Sequence, residues 1–278
     1  MENQKKVELQ KIATKIRLGI LEEIFSASSG HPGGSLSIAD ILSYLFFEKM
    51  NIDPADPKKA DRDRLVLSKG HTAPALYAAL ANRGYFSTDM LKTFRNKDSI
   101  LQGHPDMKYI PGVDMSSGSL GQGISAACGM ALSAKLSKKD YNVYTILGDG
   151  ELEEGQVWEA AMFAAHYGLN NLCAFIDFNG LQIDGDVTKV MNPTPIDEKF
   201  AAFGWNVVVI DGHNLEEIEA AVAKFENSDK PFAIVCKCIK GKGVSFMENE
   251  AGWHGNAPNA EQYEIAKSEL EAALAALN

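Results

Sequence analysis

Four short apolar runs, Tyr141–Leu147, Leu172–Phe178, Trp205–Ile210 and Phe232–Cys238, constrain the fold of this chain more than any other feature. Helical segments separate them, Leu152–Tyr167 and Leu215–Glu226. Near-continuous apolar strands that alternate with helices predict an α/β fold, a parallel sheet covered by helices on both faces. Upstream, Val7–Phe25 carries Leu9, Ile12, Ile16, Ile20 and Ile24 at steps of three and four, which puts them on one helical face. Ser28-Ser29-Gly30 ends that helix in a turn. Ser37 reads as the cap of a second helix reaching about Met50. A Pro- and Asp-rich loop over 51–64 then precedes a short strand, Leu65–Ser68. Pro74 suits the first turn of a helix over Ala73–Asn82, and Ser87 caps another. The tail, Ala260–Leu277, reads as a helix packed on the outside. No repeat or linker interrupts the pattern, so residues 1–278 read as a single domain.

Charge narrows the partners. Lys and Arg total 27 against 37 Asp and Glu, a net charge of −10. That balance argues against nucleic acid, whose phosphates call for clustered Lys and Arg. It leaves room for a small anionic substrate held at a locally positive site. No apolar run approaches the ~20 residues of a membrane span, and Met1–Gln10 has no signal-peptide core. Cys128, Cys173, Cys236 and Cys238 are scattered and read as reduced thiols of a cytoplasmic core rather than zinc ligands.

Open parallel sheets bind ligands beyond the carboxyl ends of their strands. Gly148-Asp149-Gly150 lies at such an end. Its glycines let the backbone turn sharply, and the helix that follows offers free N–H groups to an anion. The next strand ends in Asp177-Phe178-Asn179, which puts Asn179 on the same rim as Asp149. A carboxylate, an amide oxygen and a backbone carbonyl beside an anion-binding helix end make an oxygen site for a hard divalent ion such as magnesium. Read alone, Gly-Asp-Gly is a turn; with Asn179 at the matching strand end, a turn with a cap and a metal site weigh equally.

Four of the six histidines lie in loops rich in Gly and Pro: Gly30-His31-Pro32-Gly33-Gly34, Ser68-Lys69-Gly70-His71, Gly103-His104-Pro105 and Trp253-His254-Gly255. Any one of them alone is an ordinary loop residue; histidine also exchanges protons near neutral pH. His166, inside a helix, and His213 read as structural. Ser117-Gly118-Ser119-Leu120-Gly121-Gln122-Gly123 opens a helix but lacks the glycine order of a dinucleotide fingerprint. Lys240-Gly241-Lys242-Gly243 is either a solvated turn or a contact for a phosphate.

Gly148-Asp149-Gly150 followed by Asn179 resembles the motif that binds thiamine diphosphate and magnesium, and the whole segment 148–185 resembles transketolase. The resemblance implies that Asp149 and Asn179 hold Mg2+ (or Ca2+ or Mn2+ in its place) through side chains and Leu181 through its carbonyl. It implies a cofactor cradle of His71, Gly118, Ser119, Leu120, Gly148, Asp149, Gly150, Glu154, Asn179, Leu181, Lys240 and His254. Ser119 stands where the family loop has proline. Glu154, counted with the catalytic set, and Glu159 match family glutamates at the dimer interface, although helix-dipole stabilisation accounts for them as well. The four loop histidines match family signatures in order. The implied reaction moves a two-carbon ketol unit from a ketose, phosphorylated or otherwise specialised, to an aldose. His31 and His254 would lie near the C3 hydroxyl, and His71 and His104 near the C1 hydroxyl.

The resemblance covers essentially the whole chain but only the first half of a full-length transketolase. The pyrimidine domain, with its activating glutamate, and the carboxyl-terminal domain are expected on a partner chain. Glu151, Glu153 and Glu154 lie on the diphosphate side and cannot replace that glutamate. The implied assembly is a cytoplasmic α2β2 heterotetramer active only when complete. The rival readings are a subunit of another thiamine diphosphate enzyme, a 2-oxo acid dehydrogenase component or a deoxyxylulose-phosphate synthase, and a non-catalytic regulatory subunit. The four-histidine set favours transketolase.

Overall fold

The computed structural model describes residues 1–277. Seven strands occur in chain order: β1 (Arg64–Leu67), β2 (Val143–Gly148), β3 (Leu172–Phe178), β4 (Leu181–Gln182), β5 (Gly185–Asp186), β6 (Asn206–Asp211) and β7 (Phe232–Lys237). Five of them form one parallel sheet in the order β1-β2-β3-β7-β6, and β4 and β5 form a small antiparallel hairpin. The helices are α1 (Asn3–Ala27), α2 (Pro32–Leu36), α3 (Ala39–Tyr44), α4 (Ala73–Arg83), α5 (Gln122–Leu136), α6 (Gly155–His166), α7 (Val187–Val190), α8 (Ile196–Ala202), α9 (Leu215–Glu226) and α10 (Ala260–Ala276).

Alternation along the strands splits the core in two. Leu65, Leu67, Tyr144, Ile146, Cys173, Phe175, Ile234 and Cys236 face one layer, built mainly from α1, α3, α4 and α9. Val66, Val143, Leu147, Leu172, Ala174, Ile176, Ala233 and Val235 face the other, where α5, α6 and α8 pack. A period of two places successive side chains on opposite faces, so each strand feeds both cores and reads as an unbroken apolar run. The predicted fold class is the observed one. All four cysteines are buried and free. No described helix is long and apolar enough to cross a membrane.

Three local expectations need correction. Ser37 caps no helix: its hydroxyl donates to Gly34 O at 2.9 Å and to Asp177 Oδ2 at 2.6 Å. The helix placed after it is α3 followed by a π turn over Leu45–Lys49. The segment expected to be one helix from Leu152 begins as a 3-10 turn, Gly150–Glu153, and Glu154 is extended before α6 starts. The tail helix packs on the outside as expected, with Tyr263 stacked on Phe25 at 4.0 Å and its hydroxyl donating to Glu22.

On α1, Glu23 is fully buried and neither carboxylate oxygen has a partner. Burial pushes its carboxyl well above the ordinary value. The folded chain therefore keeps a proton that the unfolded chain releases above about pH 4.5, and Glu23 draws stability down as pH rises. Glu23→Leu is expected to melt above the wild type at pH 8, with the gap closing toward pH 4.5. A gap independent of pH in thermal melts would contradict a neutral buried carboxyl.

Candidate active site

Parallel pairing brings the chemistry to one rim. Gly148 lies opposite Asp177 in the β2–β3 register, so the segments leaving both strands emerge side by side. β1 delivers Ser68-Lys69-Gly70-His71, and β7 leads into Lys240. These ends surround a cavity of about 260 Å³. A larger open hollow of about 570 Å³, between Lys139 and Phe225, lies away from every motif residue.

The cavity gathers His31, His71 and His254, whose ring centroids are 5.1 to 5.5 Å apart. Gly118, Leu120, Gly148, Asp149, Gly150, Asn179, Leu181 and Lys240 also line it. Asp149 accepts from Gly150 N at 2.8 Å and Gly180 N at 2.6 Å. Its carboxyl is pushed up to about 6, first by burial and then by the charge of Asp177. Lys240 Nζ donates to Leu181 O at 2.9 Å and lies 3.0 Å from His254 Nδ1. Burial draws Lys240 down to about 8 against the pull of Asp149 and Asp177. Lys242 turns outward and pairs with Glu248 at 3.4 Å.

Three predicted site residues lie outside the cavity lining. His104 is exposed at the mouth and packs over Gly118. Ser119 is exposed. Glu154, like Glu159 beyond it, is exposed near the start of α6. His213 is structural: its Nε2 accepts from Ile239 N at 2.9 Å, which leaves the proton on Nδ1, 2.8 Å from Asp40 Oδ2. His166 lies in the last turn of α6 against Tyr167.

Sequence reasoning missed Glu151. Far from lying idle on a helix, it is 2 % exposed and lines the cavity. Its carboxylate accepts from Ser68 Oγ, Gly121 N and Gly148 N, which ties three loops together. Lys69 and Asp177 were missed too, although both stand inside quoted motifs. They form a buried ion pair at 2.5 Å. Gly123 is needed by contact: a Cβ there would stand 2.5 Å from Ser68 Cα, so α5 closes on the loop after β1 only with glycine.

The oxygen set fits a hard divalent ion. Asp149 supplies a buried carboxylate, Asn179 an amide oxygen and Leu181 a carbonyl, all lining one cavity. Among the described residues no cluster of three or more His, Cys, Asp or Glu forms a metal site, in keeping with a set that has a single carboxylate.

A family model described as "Transketolase, thiamine diphosphate binding domain" matches residues 8–273. The chain belongs to the transketolase family. It is 48 % identical over 271 residues to the 6-deoxy-6-sulfo-D-fructose transketolase subunit SqwG of Clostridium sp. (strain MSTE9), covering 97 % of this chain and 98 % of that protein. It is 42 % identical over 265 residues to one subunit of the apulose-4-phosphate transketolase of Phocaeicola vulgatus, covering 95 % of this chain and 93 % of that one. The crystal structure of transketolase from Campylobacter jejuni matches with a TM-score of 0.90 at 32 % identity, over 100 % of this chain and 46 % of that one. The chain thus spans nearly all of the two subunit relatives and less than half of the solved transketolase. The thiamine diphosphate-binding part of a transketolase is the part present, and the resemblance drawn from the motifs holds.

The histidines in and beside this cavity are neutral at pH 7. Burial, followed by the charges of Arg95, His104 and Lys240, lowers His31 to about 4. Burial and then Lys240 lower His254 to about 3. Burial and Lys69 drive His71 well down, and burial and Arg95 lower His104. Below pH 6.5 the unfolded chain takes up protons that the folded chain refuses, so these groups remove stability as pH falls from 6.5 toward 4. In NMR titrations of the free chain, His31 and His254 are expected to stay neutral through pH 5, and Lys240→Met to raise His254. Titration of both near 6.5 would contradict this electrostatic reading.

Proposed function

We propose that this chain is the cofactor-anchoring, amino-terminal subunit of a two-chain transketolase that moves a two-carbon ketol unit from an anionic ketose to an aldose. The observation that carries the reading is one cavity that combines the Asp149, Asn179 and Leu181 oxygens with three neutral histidines and Lys240. Asp149, Asn179 and Leu181 would hold Mg2+, with Ca2+ or Mn2+ able to replace it. Lys240, His71, His254 and the N–H groups beyond Gly148 would hold the diphosphate, while Gly118 and Leu120 would border the aminopyrimidine. Thiamine diphosphate, when bound, supplies the nucleophilic carbon and the electron sink.

The chain's own residues handle protons and charge. A neutral imidazole can accept a hydroxyl proton, and cations close by oppose its premature protonation. His31 and His254 would take the C3 hydroxyl proton, with His71 and His104 beside the C1 hydroxyl. Arg95 supports an anionic donor. Its Nη1 donates to Ser29 Oγ at 2.7 Å, its Nε is buried without a partner, and no carboxylate pairs with it among the described residues. The sugars named for the two relatives, 6-deoxy-6-sulfo-D-fructose and apulose-4-phosphate, both carry an anionic group.

The activating glutamate and the remaining substrate contacts would come from a carboxyl-terminal partner chain in an α2β2 assembly, in the cytoplasm where four free thiols stay reduced. Exposed Met162, Phe163 and Tyr167, on α6 and just beyond it, support an interface beside Glu154 and Glu159. The purified chain is expected to bind thiamine diphosphate with Mg2+ yet give no ketol transfer until the partner is added; robust turnover by the chain alone would overturn the split arrangement. Asp149→Ala is expected to weaken Mg2+-dependent cofactor binding by at least ~10–100-fold in calorimetry. Unchanged affinity would remove Asp149 from the metal site.

A further inference from the structure

At the wall of the cavity, where Lys69 lines it, lies a buried pair of charges to which the proposed chemistry gives no role. Asp177 is fully buried at the end of β3, and its Oδ2 accepts three hydrogen bonds. They come from Lys69 Nζ at 2.5 Å, Ser37 Oγ at 2.6 Å and Asn179 Nδ2 at 2.9 Å. Lys69, 2 % exposed, also donates to Gly34 O at 2.8 Å.

An asparagine amide can be turned over, exchanging oxygen for nitrogen. Its neighbours forbid that here. An ionised carboxylate only accepts, so the atom of Asn179 that meets Asp177 must be the NH2. The Leu181 N–H only donates, and it lies 3.2 Å from Asn179 Oδ1. Both neighbours impose the same orientation, and Oδ1 keeps a second lone pair for the cavity. The Asp177 oxygen is itself held from behind: it accepts from Lys69 Nζ at 2.5 Å and from Ser37 Oγ at 2.6 Å, and an ammonium group can only donate, so the pair presents Asn179 with an acceptor fixed in place.

We infer that Lys69 and Asp177 are a positioning pair for Asn179, holding the amide so that its oxygen rather than its NH2 is offered to the divalent cation. The inference rests on the proposed role of Asn179 as a metal ligand. It also accounts for an amide at position 179, because a carboxylate there would face the carboxylate of Asp177 with no proton between them.

A buried ion pair can often be exchanged for apolar groups of similar size at little cost in stability, so positioning can be tested apart from folding. Lys69→Met combined with Asp177→Leu, in the full chain, is compared with wild type by thermal melting without metal. Mg2+ is then titrated calorimetrically at saturating thiamine diphosphate. The expected result is a melting temperature close to wild type and Mg2+ affinity reduced ~10–100-fold. A folded variant whose affinity stays within about two-fold of wild type, the scatter of uncoupled sites, overturns the positioning role. Should the pair variant not fold, Asp177→Asn decides: it keeps the shape but turns a charge-assisted hydrogen bond into a neutral one. A smaller loss of Mg2+ affinity supports the inference, and unchanged affinity overturns it. The underlying reading fails differently. Wild type that binds no Mg2+, or Asp149→Ala that binds it normally, removes the metal site itself.

Discussion

Gly148 opposite Asp177 in adjacent parallel strands is the constraint on which the site depends. Because the two strands run the same way, the segments leaving them emerge on the same rim. Asp149 and Asn179 are neighbours for that reason, far apart though they are in the chain. The hydrogen bond from Gly180 N to Asp149 Oδ2 at 2.6 Å closes the gap between the two segments. Glu151 extends the same logic to β1 and α5 by accepting from Ser68, Gly121 and Gly148. Two buried carboxylates, Asp149 and Glu151, thus stitch four chain segments together through backbone N–H groups and the Ser68 hydroxyl.

Charge balance acts on top of that geometry. The chain as a whole is strongly acidic, yet its cavity is lined by the cations Lys69 and Lys240, and the charge of Arg95 acts on His31 and His104. Lys69 is neutralised by Asp177, whereas Lys240 forms no ion pair with a carboxylate among the described residues. Burial first, and then this surplus, depresses every histidine around it, and the surplus favours polyanions. Local placement, not net charge, decides what an acidic protein can bind. Diphosphate and an anionic sugar are the ligands this arrangement suits.

Much of this was readable from residues. Apolar runs at Tyr141–Leu147 and Leu172–Phe178 foretold two central strands, because strands buried on both faces leave no polar alternation. Gly148-Asp149-Gly150 and Asn179 foretold the rim, since a strand's carboxyl end is where a parallel sheet opens. Ser37 misled because a serine before a helix signals a cap only if no stronger acceptor is near, and Asp177, 140 residues on, is that acceptor. Glu151 misled because helical periodicity does not show that a helix begins with a 3-10 turn, which swings its carboxylate inward.

The sequence by itself determined the layers, the order of the loops and the kinds of oxygen and nitrogen available, because periodicity and side-chain chemistry are local. The three-dimensional arrangement alone decided which of those groups share a space. It brought His31, His71 and His254 within about ring-contact distance of one another, sent Lys240 inward and Lys242 outward, and left His104 and Ser119 at the edge. It also set the protonation states, because desolvation and neighbouring charge act through space and leave no trace in the order of residues.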